Sequence, residues 1–409
     1  MKKKQVIAML MAGAMCFGLM AGCSGKDSGA SDNNGTQSAA PSDEVGNDAP
    51  SGTAGGTFKL GHIGPLTGDA AIYGIATNNG AQLAVEEINA MGGDIQFELK
   101  SEDDVATADT AVNAYNSLKD WGMQALIGCT TTGSAIAVSA EAYADRVFAI
   151  TPSASSTDVT AGKDNMFQVC FTDPNQGVAS ADYMAEKMAD AKIAVIYRND
   201  DAYSQGIRDA FKAEAEAKGL NIVSEGTFTK DTATDFSVQL TAAQSAGADL
   251  VFLPIYYGPA SVIFNQANAM GYAPTFFGVD GMDGILTLEG FNTELAEGVM
   301  LLTPFSASSD DEATQAFVTA YVDKFGETPN QFAADAYDCI YAIYNACEKA
   351  GVTADMSHEE VCDALIAAFT SPDFSVDGLT GTGMTWSANG EVSKAPMVVK
   401  VENGAYVTL

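Results

Sequence analysis

The residues on which chemistry could rest cluster just behind short apolar runs. Tyr73 follows Gly64-Pro65-Leu66-Thr67-Gly68, Thr132 sits within Gly128-Cys129-Thr130-Thr131-Thr132-Gly133-Ser134, and Ser153 and Ser155 lie in Thr151-Pro152-Ser153-Ala154-Ser155-Ser156. Later in the chain come Tyr203 after Asp200-Asp201-Ala202, the pair Tyr256-Tyr257, and Asp280 in Gly278-Val279-Asp280-Gly281. Hydroxyls, phenols and one acid can hydrogen-bond and balance charge, but bond-making needs a nucleophile paired with a base. The chain has only His62 and His358, and the Ser357-His358-Glu359-Glu360 string around the latter is a capping-box helix start. His62 lies inside an apolar run and is expected to be packed or at a rim. No HExxH, GxSxG, P-loop or GxGxxG arrangement occurs in the sequence, so an enzyme is not expected and no cofactor is required. Each candidate also has a purely structural role open to it. Thr132 and Ser155 suit helix caps, Asp280 suits a tight turn, and the tyrosines suit core or rim. Tyr257 competes with Tyr256, because a one-residue slip at a strand end reverses facing. Asp103 and Asp104 are expected to be caps or surface acids.

Continuous apolar segments over residues 58–63, 125–127, 147–150, 193–197 and 250–253 have the character of parallel strands buried on both faces. Amphipathic stretches lie between them. Ala81, Ala84, Val85 and Ile88 share one helical face, and Gly92-Gly93 closes that helix; Ile207, Ala210 and Phe211 mark another, closed by Gly219. Two later helices carry Ala313, Ala316, Phe317 and Ala320, then Ala336, Ile340, Ile343, Tyr344 and Cys347. Repeated strand–helix–strand units imply right-handed crossovers and doubly wound sheets, an α/β fold, and the length asks for two of them. In such sheets ligands bind beyond the carboxyl ends of the strands, where the candidate residues stand.

The amino terminus predicts where the protein works. Lys2, Lys3 and Lys4 precede an uncharged apolar run over residues 6–20, and Ala21-Gly22-Cys23 closes it, as in a secretory signal covering residues 1–22. A cysteine after a small pair resembles the lipobox of bacterial lipoproteins, which implies lipidation of Cys23. Residues 23–57 are poor in apolar side chains and read as a flexible tether from the membrane, about 30 Å in reach. The formal net charge is −33, and three units more negative without the signal lysines, which disfavours nucleic acid as a partner. Beyond Cys16 and Cys23 remain Cys129, Cys170, Cys339, Cys347 and Cys362. They are odd in number and lack CxxC spacing, so they are expected as small buried hydrophobes rather than disulfides or metal ligands.

The motifs taken in order resemble a known family. Ile63-Gly64-Pro65-Leu66-Thr67-Gly68 with Tyr73-Gly74, Glu86-Glu87-Ile88-Asn89 to Gly92-Gly93, Ile127-Gly128 with its Thr/Ser run, Thr151-Pro152-Ser153-Ala154, Asp235-Phe236-Ser237, and Gly381-Thr382-Gly383 to Asn389-Gly390 are similar to the branched-chain amino acid binding proteins of ABC importers. The resemblance implies a type I periplasmic-binding-protein fold of two α/β lobes joined by three hinge crossovers, with one lobe at 58–173 plus 303–379 and the other at 174–302 plus 380–409. It implies a monomer that holds an amino acid by carboxylate and ammonium and delivers it to permease subunits, on a lipid-anchored, Gram-positive-type surface. Thr132 and Ser155 match the hydroxyl donors, Ser153 the backbone contacts, and Tyr73, Tyr203 and Tyr256 the pocket walls. Asp280 matches the acidic position, with a shorter side chain than the glutamate of some members. The alternatives are a receptor of this fold for an amide, aromatic acid or purine, or a signalling lipoprotein.

Overall fold

The apolar runs become the central strands. In the computed structural model, which describes residues 56–409, the first half of the chain reads β1 (Phe58–Gly64), α1 (Ala71–Ala90), β2 (Phe97–Asp103), α2 (Ala108–Trp121), β3 (Ala125–Gly128), α3 (Thr132–Ala144), β4 (Phe148–Thr151) and β5 (Met166–Gln168). It continues with α4 (Asp173–Lys187), β6 (Lys192–Arg198), α5 (Ala202–Lys218), β7 (Asn221–Phe228), α6 (Ser237–Ser245), β8 (Leu250–Leu253), α7 (Tyr257–Ala269), β9 (Thr275–Gly278) and β10 (Met300–Thr303). Helices α8 (Glu312–Phe325), α9 (Gln331–Ala350) and α10 (His358–Phe369) follow, then β11 (Met397–Glu402) and β12 (Ala405–Thr408). The signal, Cys23 and nearly all of the tether lie outside the described residues.

Two sheets form. The first has the order β2-β1-β3-β4-β5 and is parallel throughout; the second runs β12-β11-β10-β9-β8-β6-β7, parallel except for β11 and β12. Strands β3, β4 and β8 are buried at every residue, which is why they are apolar without alternation. Helices α2, α5 and α9 each end on a left-handed glycine, Gly122, Gly219 and Gly351, where a side chain would cost conformational energy. The Ser357 and Glu360 capping box opens α10 as its sequence predicts. Phe148, Phe167 and Phe369 pack with centroids 5.1 Å apart in the first core, each ring contributing roughly 1.5–3 kcal/mol of burial. All five described cysteines are free and buried.

One lobe boundary falls later than residue 380. Met384, Trp386 and Val392 are buried in the first core beside Phe369 and Phe374, and the Trp386 indole donates to the Gln168 carbonyl at 2.8 Å. An indole of that size is held where its apolar face and its N–H are both satisfied. The chain therefore rejoins the second sheet only at β11.

Candidate functional site

Strand β9 ends in a single 3-10 turn, Asp280–Met282, that delivers Asp280 between the lobes with 3% of its surface exposed. Its Oδ1 accepts from the Tyr203 hydroxyl at 2.5 Å and from the Gly281 N–H at 2.7 Å, while its own N–H donates to Gln176 Oε1 on α4 at 3.1 Å. Burial pushes the carboxyl up to about 6, opposed by the bonds from Tyr203, Gln176 and Gly281. Gly281 is required here, because a Cβ would lie 2.4 Å from the Tyr203 hydroxyl and 2.9 Å from the Tyr256 ring.

Aromatic rings surround this acid. Tyr203 stands in the first turn of α5, which Asp201 caps through the Ser204 N–H. Tyr256 is the N-cap residue of α7, with its ring 4.9 Å from Tyr203 and 5.2 Å from Tyr73. Tyr73 reaches across from α1, 4.6 Å from Phe332 on α9; its hydroxyl donates to the Gly281 carbonyl and accepts the Tyr257 N–H at 3.3 Å. Of the two adjacent tyrosines, Tyr256 lines the cavity. Tyr257 instead donates to the Asp69 carbonyl at 2.7 Å, outside the cavity wall. The Tyr73 and Tyr203 hydroxyls are taken by protein partners, so their rings offer the cavity apolar surface.

The first lobe supplies the opposite wall. Thr130, Thr131, Thr132 and Ser153 complete a tightly closed cavity with Tyr73, Tyr203, Tyr256, Asp280, Gly281 and Phe332. Thr131 is the N-cap residue of α3, yet its side chain makes no cap bond, and Thr132 opens the helix. The Oγ1 atoms of both are buried with no hydrogen-bond partner among the described residues. An unpaired buried hydroxyl is costly, and at a helix N-terminus it is poised for an anion. Thr130 joins a chain inward: its hydroxyl lies 3.1 Å from that of Thr77, which lies 2.9 Å from His62 Nε2. Burial lowers His62 to about 4, so the ring is neutral at ordinary pH. It is packed, with no surface exposed.

Three expectations need correction. Ser155 does not line the cavity; it is fully buried and its hydroxyl donates to Asp173 Oδ1 at 2.7 Å, because α4 begins directly against it. The Ser153 N–H, expected among the backbone contacts, is taken by Thr151 Oγ1 at 3.2 Å, although the residue lines the cavity. Asp104 is buried rather than a surface acid, accepting from the Ala106 N–H, while Asp103 ties down the Leu66 N–H and the Thr67 hydroxyl. Phe332, Thr130, Thr131 and Gly281 join the site beyond the residues singled out from sequence.

A cavity between two α/β lobes, hydroxyls on one side and a buried acid on the other, defines a two-lobed solute receptor. The chain belongs to the periplasmic binding protein family, whose pattern matches residues 57–405. Leu/Ile/Val-binding protein homolog 3 of Brucella melitensis is 31% identical over 360 residues, 86% of this chain and 93% of that relative. The branched-chain amino acid transporter substrate-binding protein LivJ of Streptococcus pneumoniae, solved in complex with isoleucine, is 30% identical with a TM-score of 0.76, over 87% of this chain and 100% of its own. A solute-binding protein of an R. palustris ABC transporter, solved in complex with benzoate, reaches the same TM-score of 0.76 at 22% identity, over 87% of this chain and 96% of its own, and shows the fold alone.

Proposed function

We propose that this protein is the extracytoplasmic receptor of an ABC importer and closes on an α-amino acid with a branched-chain or other apolar side chain. The observation that carries this reading is the polarity of the cavity. Unpartnered Thr131 and Thr132 hydroxyls at the α3 N-terminus suit a carboxylate, and Asp280 in the other lobe suits an ammonium. Tyr73, Tyr203, Tyr256 and Phe332 then enclose the side chain. A benzoate-like acid would satisfy the threonines but leave Asp280 unpaired, which disfavours that ligand class. Cys23 as lipid anchor, the tether of residues 23–57, delivery to permease subunits and action as a monomer complete the reading, with recognition rather than catalysis as the task.

Thermal-shift screening of the amino acids, small amides, purines and benzoate tests it directly. A matched amino acid at a hundredfold excess over Kd is expected to add about 2.7 kcal/mol of apparent stability, with benzoate adding none. Stabilisation by benzoate and by no amino acid would reverse the assignment.

The same reading sets a pH dependence. Binding an ammonium needs the ionised form of Asp280, whose free carboxyl titrates at about 6. Affinity is therefore expected to be flat above about pH 7 and to fall toward tenfold per unit below about 6, with proton release on binding in that range. Calorimetry in buffers of different ionisation enthalpy reads both; a flat profile down to pH 5 would dissociate Asp280 from the ammonium.

A further inference from the structure

The turn that carries Asp280 also grips the other lobe. Gln331, the first residue of α9 and 1% exposed, donates from Nε2 to the Asp280 carbonyl at 3.0 Å, and its N–H donates to Asp283 Oδ2 at 3.0 Å. Helix α9 belongs with the first lobe, since Ala336, Cys339, Ile340 and Ile343 sit in the core beneath the first sheet. Residues 280–284 continue β9 of the second. The grip is specific. Asn330 caps the Phe332 and Ala333 amides, leaving the Gln331 N–H to be met from the opposite lobe by Asp283. Asp283 also accepts from the Gly284 N–H at 2.8 Å, and the Tyr406 hydroxyl faces it. A carboxylate at the N-terminus of a 20-residue helix is held by the helix dipole as well as by the bond. Gly284, at φ 99°, lies so near α1 that a Cβ would stand 2.7 Å from Ile72 Cγ2.

We infer that residues 280–284 and the start of α9 form a latch between the lobes, with Gln331 and Asp283 as positioning residues that set affinity without touching the ligand. The inference rests on Asp280 being the ammonium partner, but the latch bonds themselves involve no ligand atom. Closing the cleft makes them and opening breaks them, so they bias the closed population before and after capture. Apparent affinity scales with the binding-competent fraction, so loss of the latch weakens every ligand by the same factor.

The test uses Gln331→Leu, which removes the bond to the Asp280 carbonyl, and Asp283→Asn, which removes the charge at the helix start. Each is expected to weaken leucine, isoleucine, valine and alanine equally, by about tenfold, through the loss of closed population. In small-angle scattering without ligand, each variant is expected to show a larger radius of gyration than the native protein. Unequal losses across the four ligands would place these residues in direct contact with ligand and overturn the latch. Equal ligand-free radii in a folded Gln331→Leu protein would overturn it as well. If the native protein binds none of the four, the amino-acid reading fails, while the ligand-free scattering still judges the latch.

Discussion

Replacing Asp280 with alanine is expected to weaken amino-acid binding by about 2–5 kcal/mol, which calorimetry would read as a thirtyfold or greater rise in Kd. The size follows from burial. Asp280 is 3% exposed, so an ammonium brought against the alanine would lose its water and gain no counter-charge. The effect should concentrate on zwitterions, since a ligand without an ammonium loses nothing and escapes the desolvation of an unpaired acid. The Tyr203 hydroxyl loses its acceptor and the Gly281 N–H keeps only the Tyr203 oxygen at 2.9 Å, so part of the loss is disorder in the turn. Asp280→Asn separates the two contributions, because its amide oxygen keeps one acceptor while removing the charge. Unchanged affinity in both variants would take Asp280 out of the site.

What could be read before the structure follows from burial. Strands β3, β4 and β8 are covered on both faces and announce themselves as unbroken apolar runs. Strand β7 stands at a sheet edge, with the sequence NIVSEGTF and mostly half-exposed residues, and it sends no such signal. Strand β5 is buried throughout but, at three residues ending in Gln168, is too short to show a pattern, and the terminal β11–β12 hairpin is silent because few of its residues are hidden on both sides. The lining of the candidate cavity was legible where topology alone places it. Thr132, Ser153, Tyr203, Tyr256 and Asp280 follow strands of parallel sheets, and all five line one cavity. Tyr73 joins them from the first turn of α1, just after the Gly-Pro-Leu-Thr-Gly loop. Ser155 misled because a hydroxyl bonds to the nearest acceptor, and that acceptor, Asp173, is brought by the next helix. Phe332 and Gln331 were not legible, since they approach the cavity from a helix some fifty residues beyond Asp280 in the chain.

The same physics, a charge that cannot leave the interior, predicts the largest stability effect away from the cavity. Lys394, whose side chain is 2% exposed, donates from Nζ to Asp335 Oδ1 at 2.6 Å and to Thr380 Oγ1 at 2.6 Å. Thr380 in turn donates to Asp338, which also accepts the Leu379 and Thr380 amides at 2.8 and 2.9 Å. Lysine therefore ties the segment returning to β11 onto α9. Lys394→Met, close in length and apolar, would leave Asp335 buried without a counter-charge and is expected to cost about 3–5 kcal/mol in urea unfolding at pH 8. Burial already raises Asp335 and holds Asp338 at about 6, and removing the cation moves both higher. In the variant the folded state then binds protons that the unfolded chain, titrating near 4, does not hold. Stability relative to the native protein is thus recovered as pH falls through 6 and lost as it rises. A deficit of equal size at pH 8 and pH 5 would contradict this, as would failure of Asp335→Asn to restore much of the loss in the double variant.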